Sequence, residues 1–370
     1  MALQPLSSIS QIVTYNSDVD LKDKTGSPKM QGTTVTELFQ NPGTGKSSII
    51  ENIAIGIGSM QAKAGAGSIA IGGQSLNAST GVANVCVGEE TLQYAPDASY
   101  SVAFGSSAGR RANGTGNVFV GGYNAYYEEL TGGYNTIIGS QAGIELEGTS
   151  KRNVALGAAA LWQLTVGDHN TAVGQGALYT QTTGDDNTAI GHGSGNGVVT
   201  GFQNTLLGRS TGNGIRTGSL NTIIGYGANV SGAATINENV FGSSATGGGN
   251  NTVVLGNSSI TALKCQVQTI TGLSDRRDKT NIKDSVYGLD LINKLKPVTF
   301  DWNMRDGAKV GIKDLGFIAQ DLKEVDDDYT QMVDDSNPDK ILASYGRLVP
   351  VLVKAIQELT KEIELLKLNK

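Results

Sequence analysis

Apolar side chains along residues 52–256 come in short bursts, each closed by glycine. The burst is a five-residue phrase: NIAIG ending at Gly56, SIAIG at Gly72, NVCVG at Gly88, SVAFG at Gly105 and NVFVG at Gly121. It continues as NTIIG at Gly139, NVALG at Gly157, NTAVG at Gly174, NTAIG at Gly191, NTLLG at Gly208 and NTIIG at Gly225. Successive glycines are 16, 16, 17, 16, 18, 18, 17, 17, 17 and 17 residues apart, and degenerate copies follow near Gly242 and Gly256. A short fixed period of this kind predicts a solenoid. The residue before each glycine is always apolar and mostly β-branched, which suits a short strand with one side buried. The glycine then permits a tight corner. Small residues three positions on, such as Ala142, Ala160, Ala177, Ser194 and Ala228, predict a second short strand beside a narrow interior. Asn opens nine of the eleven phrases and Ser two. Stacked Asn side chains can hydrogen-bond up and down a ladder, and Asn also suits the turn before a strand.

One such coil buries too little to be stable alone. About 12 coils stacked ~4.8 Å apart give a rod of roughly 50–60 Å. A 17-residue coil is thin, which favours lateral packing of several chains around an axis, a trimer once the C-terminal segment is considered, over a single-chain β-helix. The pattern changes after Gly272. The spacing there predicts a loop, an amphipathic helix near 288–295, strands near 298–302 and 309–313, a helix near 316–325 and a long final helix from about 344. Val349, Leu352, Ile356, Leu359, Ile363 and Leu366 are spaced 3, 4, 3, 4 and 3, a heptad seam that favours coiled-coil self-association over packing within one domain. The predicted class is therefore mainly β: a trimeric parallel β-roll of ~17-residue repeats, followed by a small α+β domain ending in a coiled-coil helix.

Composition sharpens this division. The chain has 370 residues and 51 glycines, and 41 of those glycines lie in 52–256. That segment carries 7 Lys+Arg and 11 Asp+Glu, whereas the last 96 residues carry 16 and 18. Glycine does not fall at every third residue and there are only seven prolines, so collagen is excluded. A net charge of −6 does not suggest a nucleic-acid surface. Two cysteines exclude a disulfide scaffold. No apolar run is long enough for a membrane span, and MALQPLSSISQ does not read as a signal peptide. No cofactor or metal site is expected: His169 and His192 are the only histidines, and each sits in a repeat corner. Cys86 occupies a strand position and reads as a small core hydrophobe.

NPGTGKSS at 41–48 falls short of a phosphate-binding loop, because Gln40 stands where the first glycine belongs. Glu128–Glu129, Glu145/Glu147 and Asp185–Asp186 are paired carboxylates of the kind a glycosidase uses, although turns on a rod also collect them. Tyr123, Tyr126, Tyr127 and Tyr134 cluster in sequence, with Trp162 and Tyr179 nearby. Exposed aromatics can stack on sugars, so these are the candidate receptor contacts; packing between coils or chains is the alternative. Residues 1–51 hold no repeat and read as a cap or attachment module.

The NTAIG-type phrase resembles the head repeats of trimeric autotransporter adhesins and, more closely, repeats of phage tail fibres. Both families form parallel β-rolls that trimerise side by side. The C-terminal segment resembles the intramolecular chaperone of endosialidase family, peptidase family S74. SDRRDK at 274–279 followed by Ile282 matches its Ser-Asp-x-Arg-x-Lys motif, and LDLINKLKPVTFDW, LGFIAQDL and YGRLVPVLVKAIQEL match later blocks in order. The resemblance implies a C-terminal domain of a tail fibre or spike that trimerises, guides folding of the β-structure before it, and cuts itself off. The scissile bond would be Ser274–Asp275, with Ser274 and Lys279 as the dyad and Arg277 at the motif's arginine. Five residues separate Ser274 from Lys279, so a turn or a neighbouring chain must unite them.

Four segments are thus expected: 1–51 for virion attachment, 52–260 as shaft and receptor-binding region, 261–274 as linker, and 275–370 as chaperone. By the same resemblance the protein assembles in the host cytoplasm and resides in the virion. Its partners would be two more copies of itself, other tail or baseplate proteins at the N-terminus, and a saccharide or other component of the host surface. A bacterial trimeric adhesin and a saccharide depolymerase are the alternatives.

Overall fold

The computed structural model describes residues 52–62, 65–260, 262–264, 266, 272, 274–305, 307, 309–339, 341–369. The expected attachment module at 1–51, with its NPGTGKSS segment, lies outside the described residues, as does most of the linker at 261–274. The chain forms two compact units, divided between Asn257 and Ser258.

In the first unit, thirteen three-residue strands among the described residues run from β1 (Ile53–Ile55) to β13 (Val253–Leu255). They form one sheet in chain order, and every neighbouring pair is parallel and in register. Ala189, for example, stands between Ala172 and Leu206. The repeat sets this register, because each coil returns the same phrase one strand spacing further on. The middle residue of each strand points inward: Cys86, Phe119, Ile137, Leu206 and Ile223 are all fully buried. Burial pushes the Cys86 thiol up to about 12, so it stays a protonated core group at neutral pH. The small residues Ala142, Ala160, Ala177, Ser194 and Ala228 are fully buried as well, as their spacing from the corner implies.

The opposite leg of each coil is not the second strand that the sequence suggests. Left-handed backbone recurs at alternate positions after the corner, as at Gln74 and Leu76, Glu90 and Leu92, and Ala159 and Leu161. Alternating left-handed residues break the pleat, so this leg is a string of turns. It still stacks through backbone bonds between coils: Leu76 N–H donates to Thr91 C=O at 2.8 Å, and Leu161 N–H to Ala177 C=O at 3.0 Å.

The asparagines form the expected ladder. The Asn153 amide donates to Asn135 Oδ1 (3.1 Å), Asn170 to Asn153 (3.1 Å), Asn187 to Asn170 (3.3 Å) and Asn204 to Asn187 (3.0 Å). Each Oδ1 also accepts the backbone N–H of the next asparagine, and each amide donates to a glycine carbonyl one coil on, as Asn170 does to Gly184 (2.8 Å). These side chains are fully buried and well bonded, which is the condition for burying an amide without loss. The ladder ends on Glu238, also fully buried. Its backbone N–H bonds Asn221 Oδ1, and its carboxylate accepts from the N–H groups of Ser231 (3.0 Å) and Gly249 (2.7 Å).

The second unit opens with a 3-10 turn at Arg276–Asp278, followed by α1 (Leu289–Ile292) and a hairpin of β14 (Val298–Asn303) with β15 (Val310–Gly316). Then come α2 (Ala319–Lys323), a two-residue pair β16 (Val333–Asp334) with β17 (Leu342–Ala343), and α3 (Leu348–Leu368). The helix expected from 316 starts at Ala319, because Leu315 and Gly316 finish β15. The final helix starts at Leu348, after a 3-10 turn at Tyr345–Arg347. Pro350 sits in its first turn, where a missing N–H costs nothing.

Leu322, Met332 and Leu348 make a small core with Leu295 and Phe317. Tyr345 Oη accepts from Phe317 N–H at 3.0 Å. Glu358 of α3 caps α1 by accepting from Leu289 N–H at 2.7 Å. The α3 residues buried within the unit are Leu348, Val351 and Ala355. Every member of the heptad seam, from Val349 to Leu366, is exposed.

Candidate cleavage site and rod surface

Ser274 and Lys279 flank the short 3-10 turn. Asp275 caps that turn: its Oδ1 accepts Arg277 N–H at 2.8 Å, and its carboxylate takes the Arg277 guanidinium at 2.7–3.1 Å. This bonding, chiefly from the Arg277 side chain, holds the Asp275 carboxyl below the usual carboxylate range. The tight turn carries the chain back on itself, so Lys279 Nζ lies 2.5 Å from Ser274 Oγ and 3.4 Å from the Ser274 carbonyl oxygen. A turn within one chain thus brings together two residues that helical spacing would separate. The lysine touches both the hydroxyl and the carbonyl of the Ser274–Asp275 peptide bond. Both side chains are exposed in the single chain. Arg277 is engaged by Asp275, so its role here is to brace the turn.

The six aromatic residues fall into three places. Tyr123, Tyr126 and Tyr127 pack edge to face, with centroids 5.2 and 5.3 Å apart. Trp162 and Tyr179 stack across adjacent coils at 5.5 Å. Tyr134 stands apart, exposed, just before β6 (Thr136–Ile138). Three residues the sequence reading passed over complete the first group. Arg110 lies between the rings of Tyr94 and Tyr126, at 4.9 and 5.1 Å, and pairs with Glu90 at 3.2 Å. Arg111 lies 5.8 Å from the Tyr94 ring. Their signal was positional: Tyr94, Arg110, Arg111, Tyr126 and Tyr127 all fall five or six residues after a corner glycine.

The paired carboxylates serve turns where their bonds are seen. Asp185 accepts from Asp168 N–H at 2.8 Å, and Glu129 from the Asn113 amide at 3.2 Å. His169 lies 3.9 Å from Asp186, and among the described residues no cluster of three or more metal-ligating side chains occurs. No helix among the described residues is long and apolar enough to cross a membrane.

The outer face of the thirteen-stranded sheet carries one continuous apolar column, beside a second column that is Val or Ile in seven strands, Thr in five and Asn in one. The third residue of every strand points outward, from Ile55 through Phe104, Leu156 and Leu207 to Leu255. The first residue is β-branched in all but one strand.

Residues 274–333 match the family described as chaperone of endosialidase, Peptidase_S74. The matched stretch contains the Ser-Asp-x-Arg-x-Lys segment, α1, the β14–β15 hairpin and α2, and stops before most of α3. No curated protein and no solved structure gives a significant match to the chain.

Proposed function

We propose that this chain is a bacteriophage tail fibre or short spike subunit. It assembles as a homotrimer, contacts the host surface through its rod, and carries a C-terminal chaperone that cuts the Ser274–Asp275 bond. The chaperone match at 274–333 supports the class. The observation that carries the proposal is the unpartnered apolar surface on each unit. The outer sheet face measures about 60 Å by about 10 Å, or roughly 600 Å² per chain, of the order that a stable partner contact buries. Soluble proteins seldom leave such a long, apolar sheet face bare. The α3 seam is likewise exposed, beside the stripe of Leu348, Val351 and Ala355 that its own unit covers. Two further copies of the chain fit both surfaces, because a repeated face is complementary to an identical repeat.

Trimerisation through α3 before the rod forms sets three chains in register. That lowers the entropic cost of a slow, aggregation-prone parallel β-structure. Cleavage hydrolyses one peptide bond: water adds, Ser274 becomes the new C-terminal carboxylate and Asp275 the new amine. The contacts of Lys279 suit two tasks, accepting a proton from the Ser274 hydroxyl or from a water beside it, and donating to the oxygen that gains charge. Lysine acts as a base only where burial or neighbouring cations favour its neutral form. The site is exposed in one chain, so covering by a partner copy would couple cutting to assembly. Attack by Oγ on its own carbonyl would close a strained four-membered ring, which favours water or a hydroxyl from another chain. Removal of the chaperone then makes unfolding kinetically irreversible.

The test is mass analysis together with sedimentation. The wild type should yield a 1–274 species and sediment as a trimer; Ser274→Ala and Lys279→Ala should trimerise but stay intact. A monomer sinks the assembly, and an intact wild-type trimer sinks the cleavage.

A further inference from the structure

Arg111 is the one cation among the described residues of the rod with a buried nitrogen that lacks a hydrogen-bond acceptor. Among the described residues of this segment, Arg110 pairs with Glu90 at 3.2 Å, Lys151 with Asp168 at 3.4 Å, Arg152 bonds His169, Arg209 stacks on Tyr226, and Arg216 bonds Gly197 C=O. Arg111 has no carboxylate partner among the described residues, and its Nε is buried without a hydrogen-bond acceptor. Its guanidinium lies 5.8 Å from the Tyr94 ring, so the orphaned donor, and not a bare charge, is what calls for a cause. Arg111 lines a cavity of about 380 Å³ with Tyr94, Pro96 and Glu129. The volume is within the ~300–1,000 Å³ typical of small-molecule sites. The cavity belongs to the turn leg of the coil and not to the strands. It is local to a few coils, whereas the apolar sheet face repeats in all of them. A contact between chains should repeat along the rod; a ligand site need not.

We infer that this cavity binds an acidic sugar, a pyranose carrying a carboxylate. The guanidinium supplies a fork of N–H donors that matches a carboxylate. Tyr94, half exposed, and Pro96 supply apolar faces for the C–H face of a sugar ring. Glu129 accepts hydrogen bonds from ring hydroxyls, and its negative charge disfavours a doubly charged phosphate more than a singly charged carboxylate. Arg110, held between two tyrosines, fixes the platform against which Tyr94 stands. The inference rests on the host-contact reading for its biological role and deepens it by naming the ligand class.

Calorimetric titration of the full-length protein with a hexuronate hexasaccharide tests it, with the carboxyl-reduced hexasaccharide and inorganic phosphate as comparisons. Saturable hexuronate binding is expected, weakened at least tenfold by carboxyl reduction and at least tenfold by Arg111→Gln. Tyr94→Ala should weaken it comparably, and Arg209→Gln should not change it. The site is overturned by no saturable hexuronate binding, by equal binding of the neutral sugar, by tighter binding of phosphate, or by full affinity in Arg111→Gln. Adsorption to host cells separates the two readings. Wild-type adsorption that survives Arg111→Gln defeats the cavity and leaves attachment standing. Hexuronate binding without any cell adsorption defeats attachment and leaves the cavity.

Discussion

Ile223 in the rod and Ile363 in the final helix are the same side chain in opposite circumstances. Ile223 is fully buried between Leu206 and Val240 of neighbouring coils, while Ile363 is half exposed on a seam that its own unit does not cover. The rod satisfies itself inward by repetition: each coil supplies the next with a strand, a buried amide and a packed apolar residue. The C-terminal unit buries few large side chains and leaves Ile312, Leu315, Ile356 and Leu359 exposed. The difference bears on the proposed trimer, because it shows where each unit leaves apolar surface uncovered. A coil has its neighbours in its own chain and leaves apolar side chains uncovered on the sheet face. Among the described residues, the C-terminal unit leaves most of its large apolar side chains exposed.

The largest expected effect comes from charging the seam. Leu359→Glu with Ile363→Glu should abolish trimerisation, because like charges would meet where apolar residues pack. Neither residue is buried in its own unit, so the unit itself should keep its circular-dichroism signature. Sedimentation should show monomer, and uncut chain should accumulate. A trimer that persists would mean the seam is a solvated helix face and would return the chaperone's apolar surface to the hairpin.

A pair of glycines gives the next effect, this time inside the rod. Gly191 ends a strand at φ +134°, and an added Cβ would stand 2.4 Å from Gly208 C=O in the next coil. Gly176 has φ +63°, with nothing within 4 Å of the same atom. Gly191→Ala combines a forbidden backbone angle with overlap against fixed backbone, roughly 3–5 kcal/mol. Gly176→Ala pays only the left-handed penalty, about 1–2 kcal/mol. Thermal unfolding of the two variants measures the gap. Equal losses would show that coils can separate, and would remove the close stacking on which the rod's self-sufficiency rests.

The rod was legible because one chemical constraint recurs. The corner permits only glycine, the residue before it must pack, and the buried amide must meet its copy above and below, so each constraint leaves a period. The turn leg was not legible: Gln74, Leu76, Ala159 and Leu161 carry no marker of left-handed backbone, and only stacking against the next coil imposes it. The heptad was readable from spacing alone, whereas α1 shrank to one turn between Gly288 and the Asn293–Lys294 corner. The contact between Ser274 and Lys279 depends on a 3-10 turn of three polar residues, Arg276–Asp278, which has no apolar period to announce it. Tyr94 and Arg111 do not line up in the sequence, because coil lengths of 16 to 18 residues shift equivalent positions by one, and only the hydrogen bonds between coils restore the alignment.

The smallest effect probes that turn. Asp275 bonds the Arg277 backbone and guanidinium, and its carboxyl is held below the ordinary range, chiefly by the guanidinium. A folded-state value below the unfolded one stabilises the turn above the unfolded carboxylate range, and the gain is lost as pH falls through the folded value. Arg277 is exposed and Asp275 only partly covered, so salt and water screen the pair and the effect on global stability is slight. The turn itself should respond. The Arg277 amide resonance should hold its folded position as pH falls to the usual aspartate range and shift only below it. Arg277→Gln should move that shift to higher pH and slow Ser274–Asp275 cleavage without altering the trimer. If the amide titrates at the ordinary carboxylate value in the wild type, the brace is absent in solution. The closeness of Lys279 to Ser274 would then need a support other than this turn, such as a second copy in the proposed trimer.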